Sequence, residues 1–246
     1  MTTAKNILGR LSAFWALIIF FITMLIVVIP LWAVGLVEEP RRTVIFQHIS
    51  RIWMQTFFLL TGVRIDVKGK EHFRKGENYV VVSNHNSFMD VPLTTPFIPG
   101  PNKTIAKVEM ARIPLFGMIY RRGSVLVDRK SEESRKSSYH QMKEVLTMGM
   151  HMCIYPEGTR NKTSQPLQAF HNGAFRLALD SGKAILPTVI FNTAKVLPIN
   201  KPFFYWPVRI RMHFLPAVPV GNLTIDQLKE KVHAIIREYY VKHKDQ

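Results

Sequence analysis

The chain opens on an apolar block and then settles into short alternating units. Leu11 to Val37 is a run of 27 residues without a charged side chain. As one helix it would extend about 40 Å, more than the roughly 30 Å hydrocarbon core of a bilayer. Trp15 and Trp32 fall about 25 Å apart along it, in the manner of interfacial anchors. Pro30 is expected to kink or end this helix. The run exceeds the roughly 7–15 apolar residues of a signal peptide, and "AVG" at 33–35 is a poor cleavage site, which favours a retained anchor. The next segment, "TVIFQHISRIWMQTFFLL", repeats apolar residues at helical spacing: Ile45, Ile49, Trp53 and Phe57, joined by Ile52 and Leu60. Gln47, His48, Ser50 and Arg51 fall largely off that stripe. Such a helix either packs on the rest of the chain or lies in a membrane interface beside the first. Basic residues flank both ends of the first helix, so a full crossing and a hairpin dipping into one leaflet both remain open.

Beyond this point β-rich runs alternate with helical patterns. "VRIDVKG", "YVVVSN", "SVLVD", "MCIYP" and "AILPTVIF" read as strands. "SEESRKSSYHQMKEVLTMG" and "NGAFRLALDSG" read as helices, the second ending at Gly182. "VRIRMHFLP" alternates, with Val208, Ile210, Met212 and Phe214 on one face and Arg209, Arg211 and His213 on the other. That predicts a strand with one side in solvent or lipid. "TIDQLKEKVHAIIREYY" predicts an amphipathic helix in which Thr224 and Gln227 match a capping box. Its stripe of Ile225, Leu228, Val232, Ile235 and Tyr239 is expected to contact the core. The alternation predicts an α/β fold, a mostly parallel central sheet flanked by helices over residues 62–246. An N-terminal membrane-embedded helical segment, residues 1–61, precedes it.

Charge narrows the class of partner. Lys and Arg number 33 against 17 Asp and Glu, a net charge of +16. Such an excess points to nucleic acid or an anionic membrane. The apolar block favours membrane lipids; with no RNA-binding motif present, no nucleic acid partner is expected. Residues 99–130 carry Lys103, Lys107, Arg112, Arg121, Arg122, Arg129 and Lys130 against Glu109 and Asp128. Anionic headgroups attract such residues by about 1 kcal/mol each near the surface. "KPFFYW" at 201–206 suits either an interface or a packed aromatic loop. Cys153 is the sole cysteine, which excludes an intrachain disulfide and fits a reducing compartment.

The candidate chemistry sits in "SNHNSFMDVP", residues 83–92. His85 and Asp90 are five apart, outside the three- or four-residue spacing at which helical side chains meet, so part of the stretch must be loop or turn. A histidine held by a carboxylate is a good general base near neutral pH, its unperturbed pKa being about 6.5. No G-x-S-x-G accompanies the pair, so the hydroxyl to be activated is expected to belong to a substrate. In "YPEGTRN", Glu157 and Arg160 bracket Gly158, whose backbone can approach a ligand closely. Arg160 offers a planar fork suited to phosphate. Both motifs follow apolar strands, and parallel sheets bind ligands beyond the carboxyl ends of their strands, so the two are expected to share a crevice. No H-E-x-x-H or paired-cysteine pattern occurs, and no metal is expected.

"NHNSFMD", "AKVEMARIPLFG", "GSVLVDR", "YPEGTR" and "ILPTVI" stand in the order and approximate spacing of the glycerolipid acyltransferase motifs. Over about residues 65–220 the chain resembles bacterial 1-acylglycerol-3-phosphate acyltransferases. The resemblance implies that His85 is the general base and Asp90 its orienting partner. It implies that Glu157, Gly158, Thr159 and Arg160 shape the acceptor site and that Arg129 and Lys107 contact the phosphate. Pro187 would close the fourth motif in a structural or acyl-chain role, and backbone N–H groups near Gly158 are candidates for the oxyanion. One departure stands out: members often carry two lysines before "GAF", where this chain reads His171-Asn172, leaving Lys183 or Arg176 as substitutes. The implied reaction needs no cofactor. Acyl carrier protein or coenzyme A would deliver the thioester, at the cytoplasmic face of the inner (plasma) membrane. Glycerol 3-phosphate or a lyso-ornithine lipid as acceptor, hydrolysis through an activated water, and a non-catalytic basic lipid-binding protein are the alternatives.

Overall fold

Runs of Val, Ile and Met that are apolar at every position demand burial on both faces, and they form the centre of the molecule. The structure, a computed structural model, describes residues 3–246; the first two residues of the 1–61 segment lie outside it. Seven strands form one sheet: β1 Ile65–Lys68, β2 Val80–Ser83, β3 Asn102–Lys107, β4 Ser124–Val127, β5 His151–Ile154, β6 Ile185–Phe191 and β7 Ile210–Phe214. Their order is β1-β7-β6-β2-β5-β3-β4. Every adjacent pair is parallel except β6–β7, so the sheet is mostly parallel, as predicted.

Each face of the sheet has its own core. Alternate residues of the strands separate them: Val81, Cys153, Leu186, Ile190, Met212 and Phe214 point one way, and Val80, Val82, Met152, Ile154 and Val189 the other. The first face is covered by α1 Thr3–Ala33, α2 Arg41–Leu60, α3 Asp90–Phe97 and α4 Phe116–Arg122. The second is covered by α5 Glu132–Thr147, α6 Gly173–Ser181 and α8 Ile225–His243. A single turn, α7 Thr193–Val196, follows β6. Cap chemistry sets several boundaries. Ser131 accepts from the Ser134 N–H at 3.1 Å to start α5, and Gly182 at φ +63° ends α6. Thr224 and Gln227 form the full capping box of α8.

Pro30 lies inside α1, one turn before the helix ends at Ala33 and a tight turn over Val34–Leu36 follows. Near a helix end the missing N–H disrupts only the last turn. Two expectations are corrected. The stripe on α2 is rotated. Ile52 and Leu60 are exposed, whereas Gln47 and Ser50 are buried. The helix has two partners rather than one: Trp53 meets α1, its Nε1–H donating to Thr23 Oγ1 at 2.9 Å. The polar side holds α3, Gln47 Nε2 donating to the Ile98 carbonyl at 2.6 Å and Arg51 Nε to that of Pro96 at 2.7 Å. These are carbonyls a helix C-terminus leaves unpaired. Lastly, the polar face of β7 is not open to solvent or lipid. Arg211 and His213 are buried under α8, Arg211 lying 4.4 Å over the Phe191 ring and donating to the His243 carbonyl at 2.7 Å.

The first helix lies along the domain rather than apart from it. Tyr205 N–H donates to the Gly9 carbonyl at 3.0 Å near one end, and Arg122 donates to the Trp32 carbonyl at 3.0 Å near the other. Its opposite side carries Leu11, Phe14, Ile22, Leu25, Ile26, Ile29 and Trp32, all more than half exposed. Of the 201–206 loop, Phe204 and Tyr205 pack inward and Phe203 projects outward.

His151 gives the fold a pH dependence. Packed between Phe73 and Tyr79 and accepting the Tyr79 N–H at Nδ1, it is pushed by burial from 6.5 down to about 4. Between these values the unfolded chain binds a proton that the folded chain refuses. Stability is therefore complete above pH 6.5 and is lost as pH falls towards 4, by at most about 3 kcal/mol. His213, also lowered to about 4 chiefly by burial, acts in the same direction. The thermal midpoint should fall over this window, and His151→Asn should flatten the slope by close to one proton. An unchanged slope would mean that His151 is not what the acid attacks.

Candidate active site

Strand β2 ends at Ser83, and the next side chain takes over its hydrogen bonding. Asn84 is fully buried; its Nδ2 donates to the Ile190 carbonyl at 2.9 Å and its Oδ1 accepts the Ile190 N–H at 2.7 Å. With Asn84 fixed to β6, the chain turns sharply through residues 85–89 before α3 begins at Asp90. That turn brings the five-residue pair together. Asp90 Oδ2 accepts from His85 Nδ1 at 2.7 Å, from the Asn86 N–H at 2.6 Å and from the Ser87 N–H at 2.8 Å. With the carboxylate as acceptor, Nδ1 carries the proton and Nε2 the lone pair. His85 keeps 18% of its side chain exposed, and Nε2 has no protein partner among the described residues.

The imidazole rests on Tyr155, the rings 4.4 Å apart and inclined by 25°. The Tyr155 hydroxyl is 2.7 Å from Thr94 Oγ1 on α3, and burial raises its pKa well above the phenolic value. Tyr155 was not singled out from the sequence, where an aromatic residue ending a strand looks like core. Its place directly before "PEGTR" was the available signal.

The second motif follows β5, the neighbour of β2, and the two loops are tied together. Glu157 is buried and faces backbone, not open space: Oε1 accepts the His85 N–H at 2.7 Å and Oε2 the Gln168 N–H at 2.9 Å. Burial raises its pKa, partly opposed by those two donors. The Asn161 N–H donates to the His85 carbonyl at 2.6 Å. Gly158, at φ +70°, is the conformation only glycine adopts freely, and a Cβ there would meet the His171 ring at 2.9 Å. Its own N–H donates to the Tyr155 carbonyl at 3.0 Å. Thr159 is exposed.

Cations rim this edge. Arg129, just past β4, donates from Nη1 to the Gly158 carbonyl. Arg160 stacks its guanidinium 3.5 Å from the centre of the exposed Phe88 ring. Burial lowers the Arg160 pKa, and the Asp90 carboxylate opposes the shift. Lys107 is exposed at the end of β3, paired in register with Val127 of β4. The pairings Val82↔Ile154 and Thr104↔Cys153, extended by two and three residues, set Asn84, Pro156 and Lys107 in one row. At about 4.8 Å per strand that row, continued to Val127, spans roughly 14 Å. The structure thus brings His85, Asp90, Glu157, Gly158, Arg129 and Arg160 together, with Lys107 on the same edge two strands from β2.

Other residues fall elsewhere. Pro187 is paired with Val82 inside the sheet. It lies between the bridges Ile185↔Val218 and Thr188↔Phe214, where the partner strand carries one extra residue, so its missing N–H costs no ladder bond. Lys183 follows the end of α6 and leads into the start of β6, at the opposite edge of the sheet, and Arg176 lies beside the Asp180–Tyr139 pair. Neither reaches the site. The place of the two lysines is met through space instead: Lys229 of α8 donates to Asn172 Oδ1 at 2.8 Å.

A carboxylate-held imidazole at the carboxyl edge of an α/β sheet, rimmed by arginines, can take a proton from a hydroxyl beside an anion. Comparison with known proteins gives the arrangement a family. The acyltransferase family matches residues 64–191. The chain is 30% identical over 184 residues to the 1-acyl-sn-glycerol-3-phosphate acyltransferase of Borreliella burgdorferi, covering 74% of this chain and 72% of that one. It is 31% identical over 205 residues to the mouse 1-acyl-sn-glycerol-3-phosphate acyltransferase alpha, covering 82% and 72%. Its fold is similar to the crystal structure of the 1-acyl-sn-glycerophosphate (LPA) acyltransferase PlsC from Thermotoga maritima, with TM-score 0.83 and 20% identity over 98% of this chain and 100% of that one. The chain belongs to the acyltransferase family.

Glu157 supplies a test of the support around His85. In Glu157→Gln an amide N–H₂ must face one of two backbone N–H groups, costing about 1–3 kcal/mol of stability. Misplacing the imidazole should lower kcat by roughly 10-fold to 10²-fold. Wild-type kcat in this variant would remove Glu157 from the support of the site.

Proposed function

We propose that the protein moves a fatty acyl group from an acyl thioester to the free hydroxyl of 1-acylglycerol 3-phosphate, giving phosphatidic acid for phospholipid synthesis. The observation that carries this reading is His85 Nε2, without a partner among the described residues and held by Asp90 and Tyr155 on an edge rimmed by Arg129 and Arg160. The two arginines and Lys107 bind the acceptor phosphate and set its hydroxyl against Nε2. The hydroxyl proton passes to Nε2 as its oxygen forms the new C–O bond to the thioester carbonyl. Asp90 stabilises the imidazolium that results. When the C–S bond breaks, Nε2 returns the proton to the departing thiolate. No residue of the chain is acylated in this scheme.

The outer row of α1 supplies the membrane attachment. Because the helix is docked near both ends on the domain, the apolar row is carried as one face of the whole molecule. That favours a monotopic seat in one leaflet over a free-standing crossing. The reduced Cys153 and the basic surface fit the cytoplasmic face of the plasma membrane.

Purified protein given lysophosphatidic acid, glycerol 3-phosphate or a lyso-ornithine lipid, with either thioester donor, should yield phosphatidic acid as the main product by mass spectrometry. Free fatty acid without acceptor acylation would indicate hydrolysis. His85→Ala should lose roughly 10²–10⁴ in turnover, and wild-type rates from that variant would sink the assignment. Arg160→Ala should chiefly raise the apparent KM for lysophosphatidic acid; an unchanged KM would take Arg160 out of the phosphate site.

A further inference from the structure

Two substrates must meet at His85 Nε2, and the sheet order separates the ground they occupy. The phosphate-binding cations Lys107 and Arg129 lie at the ends of β3 and β4. Strand β2 sits between these and β6, where a separate cavity of about 360 Å³ opens beside the His85 loop. Asn86, adjacent to His85, lines it, and so does Asn161, whose N–H holds the His85 carbonyl.

The lining has a definite chemistry. Its walls carry the side-chain amides of Asn86, Asn161, Gln165 and Asn192. Those of Asn86 and Gln165 have no protein partner among the described residues. Asn161 is locked in place, its Nδ2 donating to the Gln165 carbonyl at 2.9 Å and its Oδ1 accepting the Thr163 N–H at 2.9 Å. Lys195 and Lys244 add two exposed ammonium groups that lack an ion-pair partner among the described residues, against one acid, Asp245. Tyr240, stacked 5.2 Å from the buried Phe191 ring, adds an aromatic side to the lining. Such a lining suits neither an acyl chain nor a bare glycerol phosphate. Free amides pair with amides, and unpaired ammonium groups with phosphate.

We infer that this cavity binds the phosphopantetheine arm of the acyl donor, a chain of two amides ending in a phosphate at one end and the thioester at the other. The amides of Asn86 and Gln165 pair with those of the arm, Lys195 and Lys244 take its phosphate, and the thioester emerges at the His85 loop. Donor and acceptor then reach Nε2 from opposite sides of β2. The inference rests on the thioester reading proposed above.

The test compares acyl-coenzyme A, acyl-acyl carrier protein and a truncated donor, S-acyl-N-acetylcysteamine, which keeps the thioester and one amide but lacks the phosphate. Lys195→Glu combined with Lys244→Glu should lower the ratio of kcat/KM for the full donors to that for the truncated donor by about tenfold, at an unchanged KM for lysophosphatidic acid. Gln165→Leu should shift the ratio in the same direction by less. A fall confined to acyl-coenzyme A or to acyl-acyl carrier protein supports the subsite and identifies which carrier it serves. No change in the ratio, or an equal loss with full and truncated donors, overturns the subsite while leaving the acyltransferase reading intact. Wild-type protein that transfers from none of the three donors overturns the thioester reading and the subsite with it.

Discussion

One oxygen atom, Asp90 Oδ2, collects three N–H donors, from the His85 ring and from the backbones of Asn86 and Ser87. Asp90 is fully buried, and burying a carboxylate is unfavourable unless donors of this kind surround it. The loop therefore wraps around the carboxylate, and the carboxylate orients the imidazole; neither arrangement stands without the other. Oδ1 finds no protein partner among the described residues, and Arg160 lies near enough for the carboxylate to act on its charge. Because Asp90 is the first residue of α3, whatever fixes α3 also fixes the imidazole.

What fixes α3 is the N-terminal helical pair. Gln47 and Arg51 of α2 hold the carbonyls at its far end, and Trp53 ties α2 to α1. The hydrophobic cluster runs without a break from Ala16 and Met24 of α1 through Phe58 of α2 and Leu93 of α3 to Val81 of β2. The exposed apolar row of α1 and the His85 loop are thus packed as one body. That row cannot tilt against the site without pulling apart a shared core, and close packing resists that.

Patterns along the chain disclose which faces are apolar but not which neighbour covers them. That explains where the sequence was legible and where it was not. Strands β2, β5 and β6 stand out because burial on both sides leaves continuous apolar runs. The pair His85–Asp90 stands out because its spacing forbids a helix and so demands a turn. By contrast "NKTIAK" hides β3 behind Asn, Lys and Thr, and Pro92 and Pro96 disguise α3. The polar face of β7 looks solvated until α8 supplies an acceptor for Arg211 and a hydroxyl for His213. Gln47 looks exposed until the unpaired carbonyls beyond α3 give it a partner. Gln47, Arg211 and His213 are polar side chains satisfied by partners far away in sequence, which no local periodicity encodes.

The two motif loops show the same dependence on distant backbone from the functional side. Glu157 stands 72 residues from His85 yet accepts its N–H, because β2 and β5 are adjacent parallel strands ending at one edge. A carboxylate is thereby held at a fixed place relative to the imidazole whose backbone it grips. Burial raises its pKa, so its ionised form is itself held at a cost, which the N–H groups of His85 and Gln168 offset. A neutral residue would be easier to bury but would accept fewer donors, and the His85 loop would lose its tie to β5. The acid in "PEGTR" is thus explained by backbone geometry: it converts the parallel register of two strands into a fixed position for one imidazole.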